Sequence, residues 1–416
     1  MASLLEILLF ISLVLVFIAQ NSHSAGSAVV LSVTKHAPSL QYVTRIHHGT
    51  PLASTPMVLH LGGPFLWLDC ASAGASPSRR PVPCRSLHCS TAEAHQCGTV
   101  LNRYGFKLST TCRLNPENPL TRTARPGELA RDAIAVRSVD PSGTDSILAV
   151  QYDDFLFSCA PTFLLKGLAS GAKGMLGLGR TRIALPSQLS AALGLRRKFA
   201  VCLSPSEGVI LAGQAPDHRS LWNSLVYTPL IATQSEEYSV TVKSIAVNGK
   251  KLSINSTLLS SPKGGIRIST VVPYTLMESS IYEVFVAAFA NDAVSAMNLT
   301  RVAAVAPFGV CFSSEGVGRT AAGPAVAVID LLLQSEMVRW RIYGRNSMVE
   351  VGGGAMCLGF LDGGSDLGSA VILGGHQLEE NLLDFDLENS MLGFSSMLAR
   401  ETSCSKLRHK IMDESL

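Results

Sequence analysis

Apolar and polar residues alternate along much of the chain in short runs that end at glycine, proline or asparagine. Residues 238–247 alternate in this way and lead into Asn248-Gly249, a dipeptide that favours the tight two-residue turn of a β-hairpin. Residues 57–59 and 65–67 are apolar and flank Gly62-Gly63-Pro64, which predicts two strands about a turn. This pattern is typical of a mainly antiparallel β protein.

Helical patterns are few. Residues 186–193 and 280–290 have helical composition, with Pro or Ser at their first positions. Two similar apolar segments, residues 175–179 and 371–375, end in glycine, as the two halves of a duplicated protein would. We therefore predict an all-β, two-lobed fold with a few short helices.

The length and composition agree with two globular lobes. The chain has 416 residues, more than one hydrophobic core usually serves. Charged residues make up only 16% of it, against an average of about 25%, which argues against a disordered, highly charged chain. We predict lobes at residues 25–215 and 216–404, followed by a loose polar tail at residues 405–416.

The first 24 residues predict a secretory signal peptide. Residues 7–19 form an apolar run of 13, and small residues lead up to an expected cleavage after Ser24. The segment is unusual because it contains Glu6 and has no Lys or Arg before the apolar run. A membrane anchor is the alternative, but the run is shorter than the about 20 residues that span a bilayer. We expect a secreted protein, soluble in the extracellular space or cell wall, with no membrane association once the signal is removed.

The even number of cysteines favours disulfides in a secreted chain. Metal binding is disfavoured because the cluster from Cys70 to Cys112 lacks a Cys-x-x-Cys repeat, and His88 and His95 lack ligand spacing. No metal or other cofactor is predicted, and the pairing of the cysteines stays open. The ten expected disulfide residues are Cys70, Cys84, Cys89, Cys97, Cys112, Cys159, Cys202, Cys311, Cys357 and Cys404.

Two surface features follow from the sequence. Asn255 and Asn298 begin Asn-x-Thr sequons and are predicted glycosylation sites. The net charge is +3, and removal of the signal peptide deletes one acidic residue, Glu6, which gives about +4. That charge is too small and dispersed for nucleic-acid binding, although it suits an acidic cell wall or an acidic enzyme as partner.

Several blocks resemble the plant branch of the pepsin-like aspartic proteases. Residues 65–70 (FLWLDC) and 174–180 (GMLGLGR) are similar to conserved blocks of that family, and residues 371–375 (VILGG) match its second half. Residues 59–63 (LHLGG) and 268–272 (ISTVV) resemble the paired loops that carry the two catalytic aspartates. The resemblance implies a bilobal pepsin-like fold over residues from about 50 to 395.

Other stretches resemble the catalytically inactive members of this family more closely than the active enzymes. Residues 306–312 (APFGVCF) and 374–379 (GGHQLE) look like those of extracellular dermal glycoproteins, basic seed globulins, and inhibitors of xyloglucan-specific endoglucanases and xylanases. In these loops, the resemblance places His60 and Ser269 at the two catalytic positions. We interpret both as vestigial, so that the protein has no catalytic residues.

The chemistry explains this interpretation. Pepsin-type catalysis needs two carboxylates that share one proton, so that one acts as a base and the other as an acid. Ser269 does not ionise near neutral pH and cannot complete such a pair with His60. The flap-like stretch, residues 120–132, also lacks a tyrosine. A serine nucleophile assisted by histidine is an alternative, but no orienting acid and no Gly-x-Ser-x-Gly elbow supports it.

The resemblance also implies a way to inhibit glycoside hydrolases. Inhibitory members insert a cationic side chain from the C-terminal lobe into an enzyme cleft that depends on two carboxylates. The comparable segments here carry Arg319 and Arg400, each displaced by one or two residues from the positions that the endoglucanase inhibitors use. The alternative is that both are solvated surface residues.

Three functions compete. The first is a secreted inhibitor of a microbial glycoside hydrolase, either an endoglucanase or a xylanase, with a role in plant defence. The second is a storage, stress or peptide-binding globulin without inhibitory activity. The third is an aspartic endopeptidase, which the resemblance in fold alone would suggest.

Overall fold

A computed structural model describes residues 28–101, 107–139, 148–213, 219–231, 236–260, 265–400 and 402–413. The predicted signal peptide therefore lies outside the described residues. Within them, strands predominate over helices, and the all-β prediction is confirmed.

Strands of the first half alternate with short loops. They are β1 (Ala28–His36), β2 (Gln41–His48), β3 (Ala53–His60), β4 (Trp67–Leu68), β5 (Arg80–Pro81), β6 (Gln96–Leu101), β7 (Lys107–Leu114), β8 (Glu117–Asn118), β9 (Thr123–Ala124), β10 (Gly127–Val139), β11 (Leu148–Cys159), β12 (Gly174–Gly177), β13 (Lys198–Cys202) and β14 (Glu207–Gly213).

Strands of the second half are shorter and form several small sheets. They are β15 (Val226–Pro229), β16 (Ser239–Val240), β17 (Ser244–Val247), β18 (Lys250–Lys251), β19 (Ile266–Ile268), β20 (Thr275–Met277), β21 (Arg301–Val302), β22 (Cys311–Ser313), β23 (Arg319–Thr320), β24 (Gly323–Pro324), β25 (Ile329–Leu332), β26 (Arg339–Ile342), β27 (Met348–Gly352), β28 (Ala355–Leu358), β29 (Phe360–Asp362), β30 (Val371–Leu373), β31 (Asn381–Asp386) and β32 (Met391–Ser396).

The helices are mostly a single turn or two. They are α1 (Leu87–Thr91), α2 (Leu185–Leu193), α3 (Arg219–Trp222), α4 (Ser256–Ser260), α5 (Ser279–Ser295), α6 (Gly344–Ser347), α7 (Gly375–Leu378) and α8 (Cys404–Asp413), with 3₁₀ turns at Thr162–Leu165 and Leu398–Arg400. Helices α2 and α5 contain the two segments for which the sequence predicts helices. Helix α2 ends at Gly194, whose left-handed conformation is the common helix terminator.

One 15-stranded sheet joins the two halves of the chain. Strand β31, from the second half, pairs antiparallel with β13, from the first. Phe199 and Phe385 lie opposite each other in that pair, with stacked rings 4.9 Å apart, and Tyr238 packs against Phe385 at 4.5 Å. The contact between the halves is therefore a continuous part of the hydrophobic core.

A three-strand arrangement occurs twice. Strand β12 lies parallel to β3 and antiparallel to β4, so β3 and β4 are separated by an inserted strand rather than paired about their turn. Strand β30 lies in the same way between β19 and β20. The glycine-ended segments at residues 175–179 and 371–375 supply the two central strands, as duplication predicts.

The predicted hairpin at residues 238–249 is confirmed for its last strand. Strands β17 and β18 pair through Val247 and Lys250 and are joined by Asn248 and Gly249. Both turn residues have positive φ, 48° and 77°, which is the conformation that an Asn-Gly turn favours.

All ten cysteines form disulfides within the described residues. The pairs are Cys70–Cys159, Cys84–Cys97, Cys89–Cys112, Cys202–Cys404 and Cys311–Cys357. Two of them, Cys84–Cys97 and Cys89–Cys112, lie in the loop-rich region before β10. Cys70–Cys159 joins the segment after β4 to the end of β11, and Cys202–Cys404 ties β13 to the start of α8.

The prediction of a loose tail at residues 405–416 is wrong for its described part. Residues 404–413 form α8, and Leu407, Ile411 and Met412 are buried against β14 and its neighbours. Cys404, Leu407 and Ile411 are spaced by three and four residues and therefore lie on one helical face. The surrounding charged residues obscure this short apolar stripe in the sequence.

Candidate functional site

The loops that contain His60 and Ser269 meet through Thr270. Its hydroxyl donates to the carbonyl oxygen of Leu59 (2.9 Å) and accepts from the backbone N–H of Leu61 (3.1 Å). Thr270 is buried, and these two hydrogen bonds connect residues more than 200 positions apart. The ends of β3 and β19 are thereby held together at the junction of the two halves.

His60 is half-buried at the end of β3. Gly63 allows the imidazole to lie over the loop, because a Cβ atom at that glycine would come within 2.9 Å of the ring Nδ1 and of the Cα of Gly177. Burial, with a smaller contribution from Arg267, lowers the pKa of His60 from 6.5 to about 4. The ring is therefore neutral at mildly acidic pH.

Arg267 and Glu237 form an ion pair of 2.6 Å beside this histidine. Glu237 also lies against Gly62, where a Cβ atom would approach the Glu237 Cγ to 2.7 Å. The positive charge of Arg267 disfavours protonation of His60, and the Glu237 carboxylate is occupied by its guanidinium partner. The surroundings of His60 thus differ from a pair of carboxylates that share a proton.

Ser269 has a local structural role. Its hydroxyl oxygen accepts from the backbone N–H groups of Val271 and Val272, each at 3.3 Å. Within the described part of the chain, no hydrogen bond joins its side chain to His60. The serine–histidine alternative therefore has no hydrogen bond to support activation of the hydroxyl.

Tyr238 makes further contacts between the two halves at the same junction. The Tyr238 hydroxyl donates to the carbonyl oxygen of Leu178 (2.8 Å), and the guanidinium of Arg180 lies 5.2 Å from the Tyr238 ring centroid. Burial raises the pKa of Tyr238 well above its usual value. The phenol therefore stays protonated and remains a hydrogen-bond donor.

A buried polar cluster lies at a second contact between the halves. Glu379 accepts from the ammonium group of Lys35 (2.6 Å) and from the hydroxyl of Tyr42 (2.8 Å). Glu379 is 3% exposed, and burial raises the pKa of Tyr42, with Glu379 as the next cause. Thr270 and Glu379 lie within blocks that resemble the family, and Tyr42 does not, but the sequence did not predict their contacts because their partners lie 200 to 350 residues away in the chain.

The predicted inhibitory arginines lie on the surface of the second half. Arg319 is in β23 and pairs with Glu350 at 2.5 Å, where the two side chains are 71% and 61% exposed. Arg400 ends the 3₁₀ turn at Leu398–Arg400, and its Nε donates to the Ser395 hydroxyl (3.1 Å). Neither side chain is buried.

A cleft of about 370 Å³ separates the segments that carry these two arginines. Ala321, just after β23, lines it, and Leu398, Thr402 and Ser403 line it from the segment around Arg400. Arg319 and Arg400 are therefore on segments that border one cleft, although neither arginine lines it.

Two charged residues that the sequence analysis missed line the cleft. Arg345, in α6, is exposed, whereas Glu380 is buried. The Glu380 carboxylate accepts from the backbone N–H of Cys404 (2.7 Å), and burial raises its pKa. No family block includes Arg345, and only the fold brings it beside the loop after β23.

The two sequon asparagines are exposed. Asn255 precedes α4, and Asn298 follows α5 with a positive φ of 54°. Both are therefore accessible to a glycosyltransferase, and their glycosylation stays a prediction.

Among the described residues, no group of three or more His, Cys, Asp or Glu side chains is placed to hold a metal ion. In the same part of the chain, no helix is long and apolar enough to cross a membrane.

Two family models match consecutive parts of the chain. Residues 42–214 match a model described as xylanase inhibitor N-terminal, and residues 237–396 match one described as xylanase inhibitor C-terminal. The predicted lobe boundary at residue 215 or 216 lies between them and stays a prediction.

Curated relatives match over most of their length. A protein of Nicotiana benthamiana described as probable aspartic proteinase GIP2 is 47% identical over 91% of this chain and 91% of its own. The basic 7S globulin of Glycine max is 35% identical over 98% of this chain and 99% of its own.

Solved structures agree with these matches. A crystal structure of a protein described as edgp has a TM-score of 0.84 at 46% identity, over 91% of this chain and 97% of its own. An aspartic proteinase from Irpex lacteus has a TM-score of 0.54 at 14% identity, over 89% of this chain and 97% of its own, a likeness of fold alone. The predicted pepsin-like fold is confirmed.

Proposed function

The chain belongs to the plant family of pepsin-fold proteins that the xylanase inhibitor models describe, and we propose that it is a secreted, proteolytically inactive inhibitor of a microbial cell-wall glycoside hydrolase. The target class is an endoglucanase or a xylanase. The observation that carries this proposal is the cleft bordered by the Arg319 and Arg400 segments and lined by Arg345. One exposed guanidinium group thus lines this concave surface, and two more are on the segments that border it.

This arrangement suits a glycosidase as partner. Hydrolysis of a glycosidic bond depends on two carboxyl groups in an open cleft, one as acid and one as base or nucleophile. A guanidinium group binds a carboxylate through two parallel hydrogen bonds, which would block the cleft and prevent the carboxylate from changing its protonation. Arg319 would have to exchange its exposed partner Glu350 for the enzyme carboxylate, and an exposed pair of this kind contributes little, about 0–1 kcal/mol.

The proposed lack of proteolysis rests on His60 and Ser269 standing at the catalytic positions. The neutral imidazole beside Arg267 and the hydroxyl engaged by two backbone N–H groups support it. The purified protein should release no peptides from a denatured protein substrate at acidic or neutral pH. Peptide release that pepstatin abolishes would establish the endopeptidase instead.

Residual activity of a panel of fungal endoglucanases and xylanases, mixed with the mature protein at mildly acidic pH, tests the inhibition. We expect inhibition of at least one enzyme, weakened about tenfold or more by Arg319→Ala, Arg345→Ala or Arg400→Ala. Arg125→Ala is the matched control, because Arg125 is an exposed arginine of the first half. Equal loss in the control would exclude a specific role for the cleft.

A non-inhibitory globulin is the second candidate. The likeness to the soybean basic 7S globulin favours it, as does the pairing of Arg319 with Glu350 within the molecule. No inhibition across the panel, from protein that is folded and monodisperse, would favour this function over the first.

A further inference from the structure

A second cleft, of about 440 Å³, lies in the first half of the chain where β1, β2 and β10 meet. Strand β1 pairs with β10 at Ala28–Val30 and with β2 from Val33 onward. Between Val30 and Val33, β1 therefore leaves one neighbouring strand and joins the other. Strand β10 then pairs with the far end of β2, at Ile134 and Ala135. The cleft is the opening left between the three strands.

The exposed charges in this cleft are all cationic or basic. Arg45 and His47 alternate on β2 and therefore point to the same face, and Arg137 lies on β10. No carboxylate lines the cleft, and no Asp or Glu occurs in the sequence between Glu6 and Asp69. Among the described residues, neither Arg45 nor Arg137 forms an ion pair.

One ion pair beside this opening involves α8. Arg408 pairs with Glu207 of β14 at 2.9 Å, and its Nε also donates to the hydroxyl of Ser32, which lines the cleft. The Glu207 carboxylate beside the opening is thus already paired with a guanidinium group. A negative ligand would meet positive charge without a competing carboxylate.

Hydroxyl groups supply the remaining polar surface. Ser32, Thr34, Thr44 and Ser54 line the cleft, and the Thr44 hydroxyl donates to the carbonyl oxygen of Ser32 at 2.8 Å. That hydrogen bond occupies the Ser32 carbonyl oxygen, which lies in the part of β1 between its pairing with β10 and its pairing with β2. A peptide strand added here could not use this acceptor, so the cleft is poorly suited to strand addition. No Phe, Tyr or Trp ring lines it, which disfavours single-stranded nucleic acid held by base stacking on large aromatic side chains.

We propose that this cleft binds an acidic polysaccharide with uronate carboxylates. The guanidinium groups of Arg45 and Arg137 would pair with carboxylates on the saccharide, and the hydroxyls of Ser32, Thr34 and Ser54 would bond sugar hydroxyls. The volume falls within the range of about 300–1,000 Å³ for ligand sites and suits a short oligosaccharide segment rather than a single ion. This binding site is independent of the proposed inhibition and lies in the other half of the chain.

Calorimetric titration of the mature protein with a galacturonic-acid hexamer tests the proposal. We expect saturable binding that weakens with added salt, and little binding of the methyl-esterified hexamer, in which the carboxylates are neutral. Arg45→Gln with Arg137→Gln should weaken the affinity at least tenfold. The matched control is Arg80→Gln with Arg125→Gln, which removes the same charge from exposed positions of the first half.

Several outcomes would overturn the proposal. They are no binding of the hexamer, equal binding of its methyl ester, or an equal loss of affinity in the Arg80/Arg125 control. Binding of polyglutamate as tightly as the hexamer would show a general anion site and exclude specificity for a saccharide. Glycosidase inhibition by the Arg45/Arg137 variant should be unchanged, and its thermal unfolding should match that of the unmodified protein, so failure here is separable from failure of the inhibitor proposal.

Discussion

The hydroxyl of Thr270 accepts a hydrogen bond from the backbone N–H of Leu61 across 209 positions of the chain, at 3.1 Å. The same hydroxyl donates to Leu59, so one small side chain holds the two predicted active-site loops together. This contact holds the two loops in place whether or not their residues are catalytic.

We expect Thr270→Val to destabilise the protein by about 2–4 kcal/mol. The substitution keeps the shape of the side chain but leaves a buried N–H and a buried carbonyl oxygen without partners, at about 1–3 kcal/mol each. Denaturant unfolding measures the change. Thr123→Val is the control, because the Thr123 hydroxyl makes only an exposed local bond to Thr121. Equal stability of the two variants would contradict the role of Thr270.

The low pKa of His60 predicts a loss of stability in acid. The folded protein holds the imidazole neutral down to a pH of about 4, whereas the unfolded chain binds a proton below about 6.5. The contribution is therefore present above pH 6.5 and is lost as the pH falls toward 4. The full shift corresponds to about 3 kcal/mol, and because His60 keeps some contact with solvent we expect about 1–2 kcal/mol.

The free energy of unfolding, measured from pH 7 to pH 4, tests this dependence. His60→Gln should fall less steeply than the unmodified protein, whereas His47→Gln, at an exposed position of β2, should follow the unmodified curve. Parallel curves for all three proteins would show that His60 does not cause the acid sensitivity.

Glu379 should be essential to the contact between the halves. Glu379→Gln removes a buried charge that binds Lys35 and Tyr42, and loss of one partner of a buried pair costs about 3–5 kcal/mol. The double variant Lys35→Met/Glu379→Gln should lose less than the sum of the single variants, since no unpaired charge remains. Glu388→Gln is the control, because its pair with Arg196 is exposed and should contribute at most about 1 kcal/mol. Additive losses would exclude coupling.

Removal of the ion-pair partner of Arg319 should strengthen the proposed inhibition. Glu350→Gln removes the exposed partner of Arg319, so the guanidinium no longer has to leave an ion pair when it meets a target. We expect unchanged stability within about 0.5 kcal/mol and an inhibition constant lower by about two- to fivefold. Glu336→Gln, which frees the exposed Lys251 elsewhere on the second half, is the control. Weaker inhibition by Glu350→Gln would mean that the pair itself forms part of the contact surface.

Local pattern was enough to predict part of the fold. Asn248-Gly249 determines its turn through backbone conformation alone, and the glycine-ended runs before Gly179 and Gly375 become the paired central strands. The insertion of β12 between β3 and β4 could not be read from a pattern, because a strand more than 100 residues later fills the gap. Helix α8 was missed because its apolar stripe consists of only a few residues among charged ones.

The candidate sites show the same limit. His60 and Ser269 are recognisable from neighbouring residues. Thr270 lies in the same loop as Ser269, but its role depends on a hydrogen-bond partner in the other half that the sequence does not reveal. Arg345 and Arg137 are ordinary exposed arginines in the sequence. Their importance in the two proposals depends on which strands and loops the fold places beside them.

The disulfide between Cys202 and Cys404 joins positions 202 residues apart and closes the second half into a covalent ring. A single cut by a microbial protease anywhere between these cysteines would therefore open the ring without detaching either piece. Such a nicked molecule would migrate as one species under denaturing conditions without reductant, and as two fragments after reduction. The cleft bordered by Arg319 and Arg400 would therefore stay covalently attached to the first half of the chain. This attachment would persist even where proteases of the target microbe cut the inhibitor.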